Sequence, residues 1–178
     1  MKSLVIYYSL DGNTRFISEV IAKACGADIL ELKPKDEKKV TGFKKYLWGG
    51  RQVFKREKPE IMPFDKVPQD YDFLFIGTPV WAWRHAPAVE TFFSNVSLRN
   101  KKIALFCCHG GGKGRTLEKM ADRLEGNEIV GKMDFKEPLR HNKDASSERT
   151  MQWVSQILKK GIDVSPSVGR RLSVEDNP

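Results

Sequence analysis

Three short runs constrain this chain more than anything else in it. Residues 4–8 (Leu-Val-Ile-Tyr-Tyr), 73–77 (Phe-Leu-Phe-Ile-Gly) and 102–108 (Lys-Ile-Ala-Leu-Phe-Cys-Cys) are apolar at almost every position. A strand with one wet face alternates polar and apolar residues. Runs that do not alternate are buried on both faces, as strands of a parallel sheet are. Between them the apolar spacing turns helical: Phe16, Ile17, Val20, Ile21 and Ala24 form one stripe, closed by a stop at Cys25-Gly26. Residues 87–96, 114–124 and 145–160 read as further helices, the last with Met151, Val154, Ile157 and Leu158 facing in. Residues 27–32 and 129–135 complete a set of five strands. Strands alternating with helices need right-handed crossovers, which predicts a doubly wound five-stranded parallel sheet in a three-layer α/β/α domain.

In such a sheet ligands bind beyond the carboxyl ends of the strands, so the residues that follow each run matter most. The first run leads into Ser9-Leu10-Asp11-Gly12-Asn13-Thr14-Arg15 and then directly into a helix. A helix start aims free backbone N–H groups and a positive dipole end at one point. Ser9, Asn13 and Thr14 add side-chain donors there, and Gly12 allows a tight turn. The segment reads either as a cradle for an anion, foremost a phosphate, or as a capped turn with Asp11 or Asn13 as N-cap.

The second run leads into Thr78-Pro79-Val80-Trp81-Ala82-Trp83-Arg84-His85-Ala86-Pro87. Two tryptophans in an exposed loop supply flat surface for a planar ring, or else anchor the loop to the core. The third run leads into His109-Gly110-Gly111-Gly112-Lys113-Gly114, where glycines let backbone approach a ring edge. Lys113 is followed by Gly114 rather than Ser or Thr, which argues against a nucleoside-triphosphate loop. Cys107 and Cys108 read as structural thiols. His85, His109 and His141 lack metal-ligand spacing, so no metal site is expected.

Ser9, Gly12, Asn13 and Thr14 match the hydroxyl-x-hydroxyl-Gly-Asn-Thr phosphate loop of the flavodoxin family, with Asp11 replacing a hydroxyl. The run from Gly77 through Pro79, Trp81 and Pro87 is similar to that family's second loop. The chain thus resembles flavodoxin-like proteins over residues 1–160, apart from an insertion. That resemblance implies a strand order of 2-1-3-4-5 and FMN as cofactor. It places the FMN phosphate on residues Ser9 to Thr14. The flavin ring then lies by Thr78, Pro79, Val80, Trp81, Ala82 and Trp83, and its pyrimidine end by His109, Gly110, Gly111 and Gly112. A carboxylate beside a phosphate is repulsive, so Asp11 is expected to point away, and Arg15 to offset its charge.

At 178 residues the chain fits one domain, residues 1–160, followed by a tail, 161–178. Arg170-Arg171-Leu172-Ser173 in the tail reads either as a basic-directed phosphorylation site or as part of an unstructured end. Charge is uneven. Residues 33–58 carry ten basic and three acidic residues, a net +7 out of the chain's +8, leaving +1 elsewhere. Phe43, Tyr46, Trp48 and Phe54 interleave with these charges, and 43–54 reads as a helix interrupted at Gly49-Gly50. This insertion is either a solvated surface or a docking patch for an acidic redox partner. No nucleic-acid motif accompanies it. No signal peptide or membrane span is evident, and three cysteines form no disulfide framework, so a cytoplasmic protein is expected, as monomer or homodimer. No side chain stands out as a catalytic acid, base or nucleophile, which leaves the chemistry to a cofactor. An electron carrier between partner proteins is the leading expectation. An NAD(P)H- or quinone-dependent oxidoreductase and a non-redox phosphate-binding module are the alternatives.

Overall fold

The computed structural model describes residues 1–35 and 58–163. Five long strands, β1 (Ser3–Tyr7), β2 (Asp28–Glu31), β3 (Phe73–Trp81), β5 (Lys102–His109) and β6 (Glu128–Lys136), pair in the order β2-β1-β3-β5-β6, all parallel. Counting long strands alone, this is the expected 2-1-3-4-5. A two-residue strand, β4 (Arg84–His85), returns antiparallel on the end of β3. The helices are α1 (Asn13–Cys25), α2 (Pro87–Asn95), α3 (Thr116–Asp122), α4 (Pro138–His141) and α5 (Lys143–Asp163).

Side chains alternate across each strand, so every buried run feeds two separate cores. Leu4, Ile6, Leu74, Ile76, Ile103 and Leu105 face one side, with Val89 and Phe92 of α2 and Leu117 and Met120 of α3. Val5, Phe73, Phe75, Ala104, Phe106 and Phe135 face the other, with Ile17 and Ile21 of α1 and Trp153, Val154 and Ile157 of α5. Each large apolar side chain so buried contributes about 1.5–3 kcal/mol. The sheet centre is tight: a Cβ on Gly77 would stand 2.1 Å from Phe106 Cζ. Any larger residue at 77 would displace that ring.

Several boundaries depart from expectation. β3 runs four residues past Gly77, so Thr78–Trp81 is strand rather than loop. Pro79 is tolerated because pairing with β1 ends at Tyr7↔Gly77, whereas pairing with β5 continues to Pro79↔Cys108. Beyond Gly77, β3 is therefore an edge that needs no N–H on that side. α3 starts at Thr116, two residues late, because Gly114 has a φ of +51° that no helix continues. α5 starts two residues early, and the four-residue α4 had no counterpart in the sequence reading.

Residues 36–57 and 164–178, which hold most of the basic insertion and the tail, lie outside the described residues. The two ends of the insertion are nevertheless held together. Lys35 N–H donates to Glu60 O (2.8 Å), Met62 N–H to Lys33 O (2.7 Å), and Pro34 bridges Ile61 antiparallel. Among the described residues no helix is long and apolar enough to cross a membrane, and no cluster of His, Cys, Asp and Glu could hold a metal ion.

Candidate functional site at the carboxyl edge of the sheet

The chain leaves β1 with Tyr8 N–H donating to Gly77 O (3.2 Å) and reaches α1 through residues 9–12. The N-cap is Gly12, at φ +88°, a conformation that only glycine adopts freely. Gly12 has no side chain to cap the helix, and neither Asp11 nor Asn13 is the N-cap. Phe16 N–H is satisfied by Gly12 O (2.9 Å), but helical geometry leaves the N–H groups before it without intrahelical partners. Asp11 Oδ1 accepts from one of them, Asn13 N–H (3.3 Å). The carboxylate therefore turns onto the loop instead of away from it. Ser9 Oγ and Thr14 Oγ1 are shielded from solvent, and neither has a hydrogen-bond partner. Thr14 lies beside the Cys108 thiol, which burial pushes well above its ordinary value. Arg15 does not compensate Asp11. Its guanidinium pairs with Glu31 on β2 and with the Tyr7 hydroxyl.

At the end of β3 the chain reverses through Ala82 and Trp83, with φ values of +46° and +58°. Two positive φ values in a two-residue hairpin mark a type I′ turn, which normally takes Asn-Gly. An L-residue in this region costs about 1–2 kcal/mol. The surroundings hold the turn. Trp83 packs on Gly114, where a Cβ would meet its Cδ1 at 2.6 Å, and Lys119 Nζ reaches Trp83 O (3.4 Å). Thr78 Oγ1 accepts from Ala86 N–H (2.9 Å) and donates to Pro79 O (2.9 Å), tying the return leg to the strand. The two tryptophans have opposite settings. Trp81 is 9% exposed and meets Tyr8 edge-on at 5.7 Å, while Trp83 is 68% exposed.

After β5, His109 Nε2 and Lys113 Nζ converge on Asp134 of β6 at 3.1 and 2.8 Å. Burial pulls the Asp134 carboxyl upward, but the hydrogen bonds from Lys113 and His109 outweigh it and hold it below its ordinary value. His109 Nδ1 is shielded and has no partner. A Cβ on Gly111 or Gly112 would meet nothing within 4 Å, so this backbone is open to approach. Burial, then the Asp134 charge, pushes the Cys107 thiol up to about 12. Neither Cys107 nor Cys108 is a thiolate near neutral pH.

A fourth segment closes the arrangement. Glu137, at φ +37°, donates its N–H to His109 O (3.0 Å) and starts α4. Leu139 N–H then donates to Asn13 Oδ1 (3.1 Å), and Leu139 Cδ1 lies over Gly12. The contacts form a circuit: the loop of residues 9–14 to α4, α4 to the glycine loop, glycine loop to the Trp83 hairpin, and hairpin through Trp81 and Tyr8 back to β1.

A flavodoxin family model matches residues 2–157. The chain belongs to the flavodoxin family. No curated protein matches it significantly. Among solved structures it resembles a Lactobacillus acidophilus flavoprotein in complex with FMN, with 21% identity and a TM-score of 0.65 over 81% of this chain and 98% of that one. Oxidised flavodoxin 2 from Bacillus cereus is 19% identical, with a TM-score of 0.58 over 90% and 99%. Two-electron reduced flavodoxin from Megasphaera elsdenii is 20% identical, with a TM-score of 0.55 over 86% and 98%. At these identities the likeness is one of fold.

For this flavodoxin family member, the structure brings the three expected loops to one edge. Ser9, Gly12, Asn13 and Thr14 surround the start of α1, while Leu10 packs its side chain against the core. Thr78 is fully buried with its hydroxyl engaged, Val80 packs on the same core, and Ala82 and Trp83 form the exposed turn. Trp81 is a wall of that core, contrary to the expectation of an exposed residue. His109 stands with Asp134, while Gly110 and Gly111 are exposed. Sequence reasoning missed Asp134, Tyr8 and α4. Pro138-Leu139-Arg140-His141 is too short to show a period, and only Pro138 hints at a helix start.

Proposed function

We propose that this chain is an electron carrier that binds one FMN at the carboxyl edge of its sheet. The observation that carries this reading is the pair of buried, unpartnered hydroxyls, Ser9 and Thr14, at the uncapped start of α1. Polar atoms shielded without partners are costly, at about 1–3 kcal/mol each. A phosphate drawn into the loop satisfies both at once, together with the free N–H groups of the first helical turn. The residues present therefore fit FMN, and the family and the FMN-bound likeness support the same choice.

FMN, when bound, supplies the ability to accept and release electrons one at a time. The chain's own groups do the rest. Ser9, Gly12, Asn13 and Thr14 hold the phosphate, and Asp11 must yield Asn13 N–H to it. Trp83 offers a face to the ring, and Trp81, backed by Tyr8, forms the wall behind it. The backbone of Gly110, Gly111 and Gly112 meets the ring edge. Asp134 orients His109 and Lys113 and neutralises one positive charge beside them. The basic insertion, residues 33–58, docks an acidic redox partner, and the free thiols suit a reducing cytoplasm.

The test is a fluorescence titration of the apoprotein with FMN and with riboflavin. One FMN per chain is expected, with riboflavin bound at least about a hundredfold more weakly, the scale of losing two charge-assisted hydrogen bonds. Equal affinities would refute the phosphate assignment. Neutralising Lys44, Lys45, Lys55 and Arg56 together should slow electron transfer to an acidic partner without changing FMN affinity.

A further inference from the structure

Beside the site, three cations lie on the two segments that carry and support one exposed tryptophan, Trp83. Arg84 follows Trp83 in the hairpin. Arg115 follows Gly114, the residue on which Trp83 rests. Lys119, one helical turn beyond Arg115, reaches Trp83 O. Burial, and then the charges of Arg84 and Arg115, hold the Lys119 ammonium below its ordinary value, so each arginine acts on Lys119. Neither arginine side chain makes a hydrogen bond or ion pair among the described residues. Their cationic neighbours are otherwise occupied: Lys113 is spent on Asp134, and Arg123 on Glu90. The charges acting on Lys119 are both positive.

Like charges held together without a counter-ion cost stability, and an exposed tryptophan leaves apolar surface in water. A partner relieves both. The patch sits on a hairpin tip where Ala82, Trp83 and Arg84 are all exposed. These residues lie open to solvent, whereas a small ligand normally buries most of its surface in a cleft. Trp and Arg are the residues that most often anchor protein interfaces.

We propose that Trp83, Arg84, Arg115 and Lys119 form a docking surface for an acidic electron-transfer protein, brought there to the rim of the cofactor site. The proposal rests on the carrier reading for its purpose, but its contacts need no flavin. It differs from the insertion as a docking site, because it lies on β4 and α3. Contact at the hairpin brings the partner's redox centre next to the ring, while residues 33–58 act at longer range on the encounter rate.

Binding tests this directly. The probe is a plant-type ferredoxin, whose surface is acidic, with basic cytochrome c as the control; both are titrated calorimetrically into the apoprotein and into the FMN-loaded protein at low ionic strength. Expected is saturable, salt-sensitive binding of ferredoxin by both forms and none of cytochrome c. The variant Arg84→Gln/Arg115→Gln/Lys119→Gln should weaken ferredoxin binding by the apoprotein about tenfold or more. A second variant, Arg84→Glu/Arg115→Glu, leaves the Lys119 contact intact and should weaken it further. Unchanged ferredoxin affinity in both variants, no ferredoxin binding by the wild type, or a preference for cytochrome c would each overturn the docking surface. Binding of inorganic pyrophosphate that is lost in the triple variant, without loss of ferredoxin binding, would overturn it in favour of a small-anion site. Failure of FMN to bind while ferredoxin still docks would overturn the carrier reading alone.

Discussion

The two poles of the site are built on opposite plans. At the phosphate pole, residues 9–14 are relaxed: glycine occupies the left-handed position, the first helical bond is in place, and the deficit is one of hydrogen bonds. At the ring pole the Thr78 hydrogen bonds that tie the return leg of the hairpin are made, but the backbone is strained, with Ala82 and Trp83 in a conformation that suits neither. The first pole is unfinished chemically and the second conformationally. A ligand completes the first by supplying acceptors. At the second, packing of Trp83 on Gly114 already holds the turn, so a ligand gains a preformed surface. Affinity should therefore reside mostly at the phosphate pole, and the ring pole should set which ring is accepted and who may approach it.

Thr14→Val tests this contrast most severely. It removes a donor that a bound phosphate needs, so FMN affinity should fall by about 2 kcal/mol while riboflavin affinity stays level. The apoprotein should be no less stable, because the lost hydroxyl had no partner. Trp83→Ala should weaken FMN and riboflavin alike, by about 1–1.5 kcal/mol, the scale of a lost aromatic contact. A loss confined to FMN would erase the distinction between the poles. Ala82→Gly should raise the unfolding free energy of the apoprotein by about 1 kcal/mol through relief of the left-handed strain. No gain would mean that the turn is not strained.

Asp11→Ser sharpens the comparison from the other side. The Asp11 carboxylate competes with phosphate for Asn13 N–H, and its removal should tighten FMN binding by about 1 kcal/mol or less, with no effect on riboflavin. The smallest effect concerns pH. The Asp134 carboxyl is held below its ordinary 3.8, so its contribution to stability is fully present above that value. It is lost as pH falls through the lower folded-state value. Acid unfolding curves of wild type and Asp134→Asn should thus be fully separated above 3.8 and converge only once pH has fallen below the folded-state value, which lies lower still.

How much of this was legible depends on what kind of signal each part leaves. The doubly buried runs at residues 4–8, 73–77 and 102–108 announce central strands because burial on both faces disfavours polar residues, and the loops that follow them are located at once, but the strand order comes only from the resemblance to flavodoxins. Pro79 hid the continuation of β3, since a proline usually ends a strand; only the shorter reach of β1 makes it acceptable. The Ala82-Trp83 reversal carries no Asn or Gly to mark it, because its stability comes from Gly114 and Lys119, some thirty residues away. The opposite fates of Trp81 and Trp83 follow from that turn. Asp134 and α4 were invisible for a related reason: their partners, His109 and Asn13, lie 25 and 126 residues away in sequence.

The most direct test of the two-pole account is a backbone amide chemical-shift titration of the apoprotein with FMN and, separately, with riboflavin. The account predicts that FMN shifts the amides of Gly12, Asn13, Thr14 and Arg15 together with those of Trp81, Trp83, Gly110, Gly111 and Gly112. Riboflavin should shift only the second group. If FMN left the amides of residues 12–15 unmoved, the phosphate would not be held at the start of α1, and the account would be wrong.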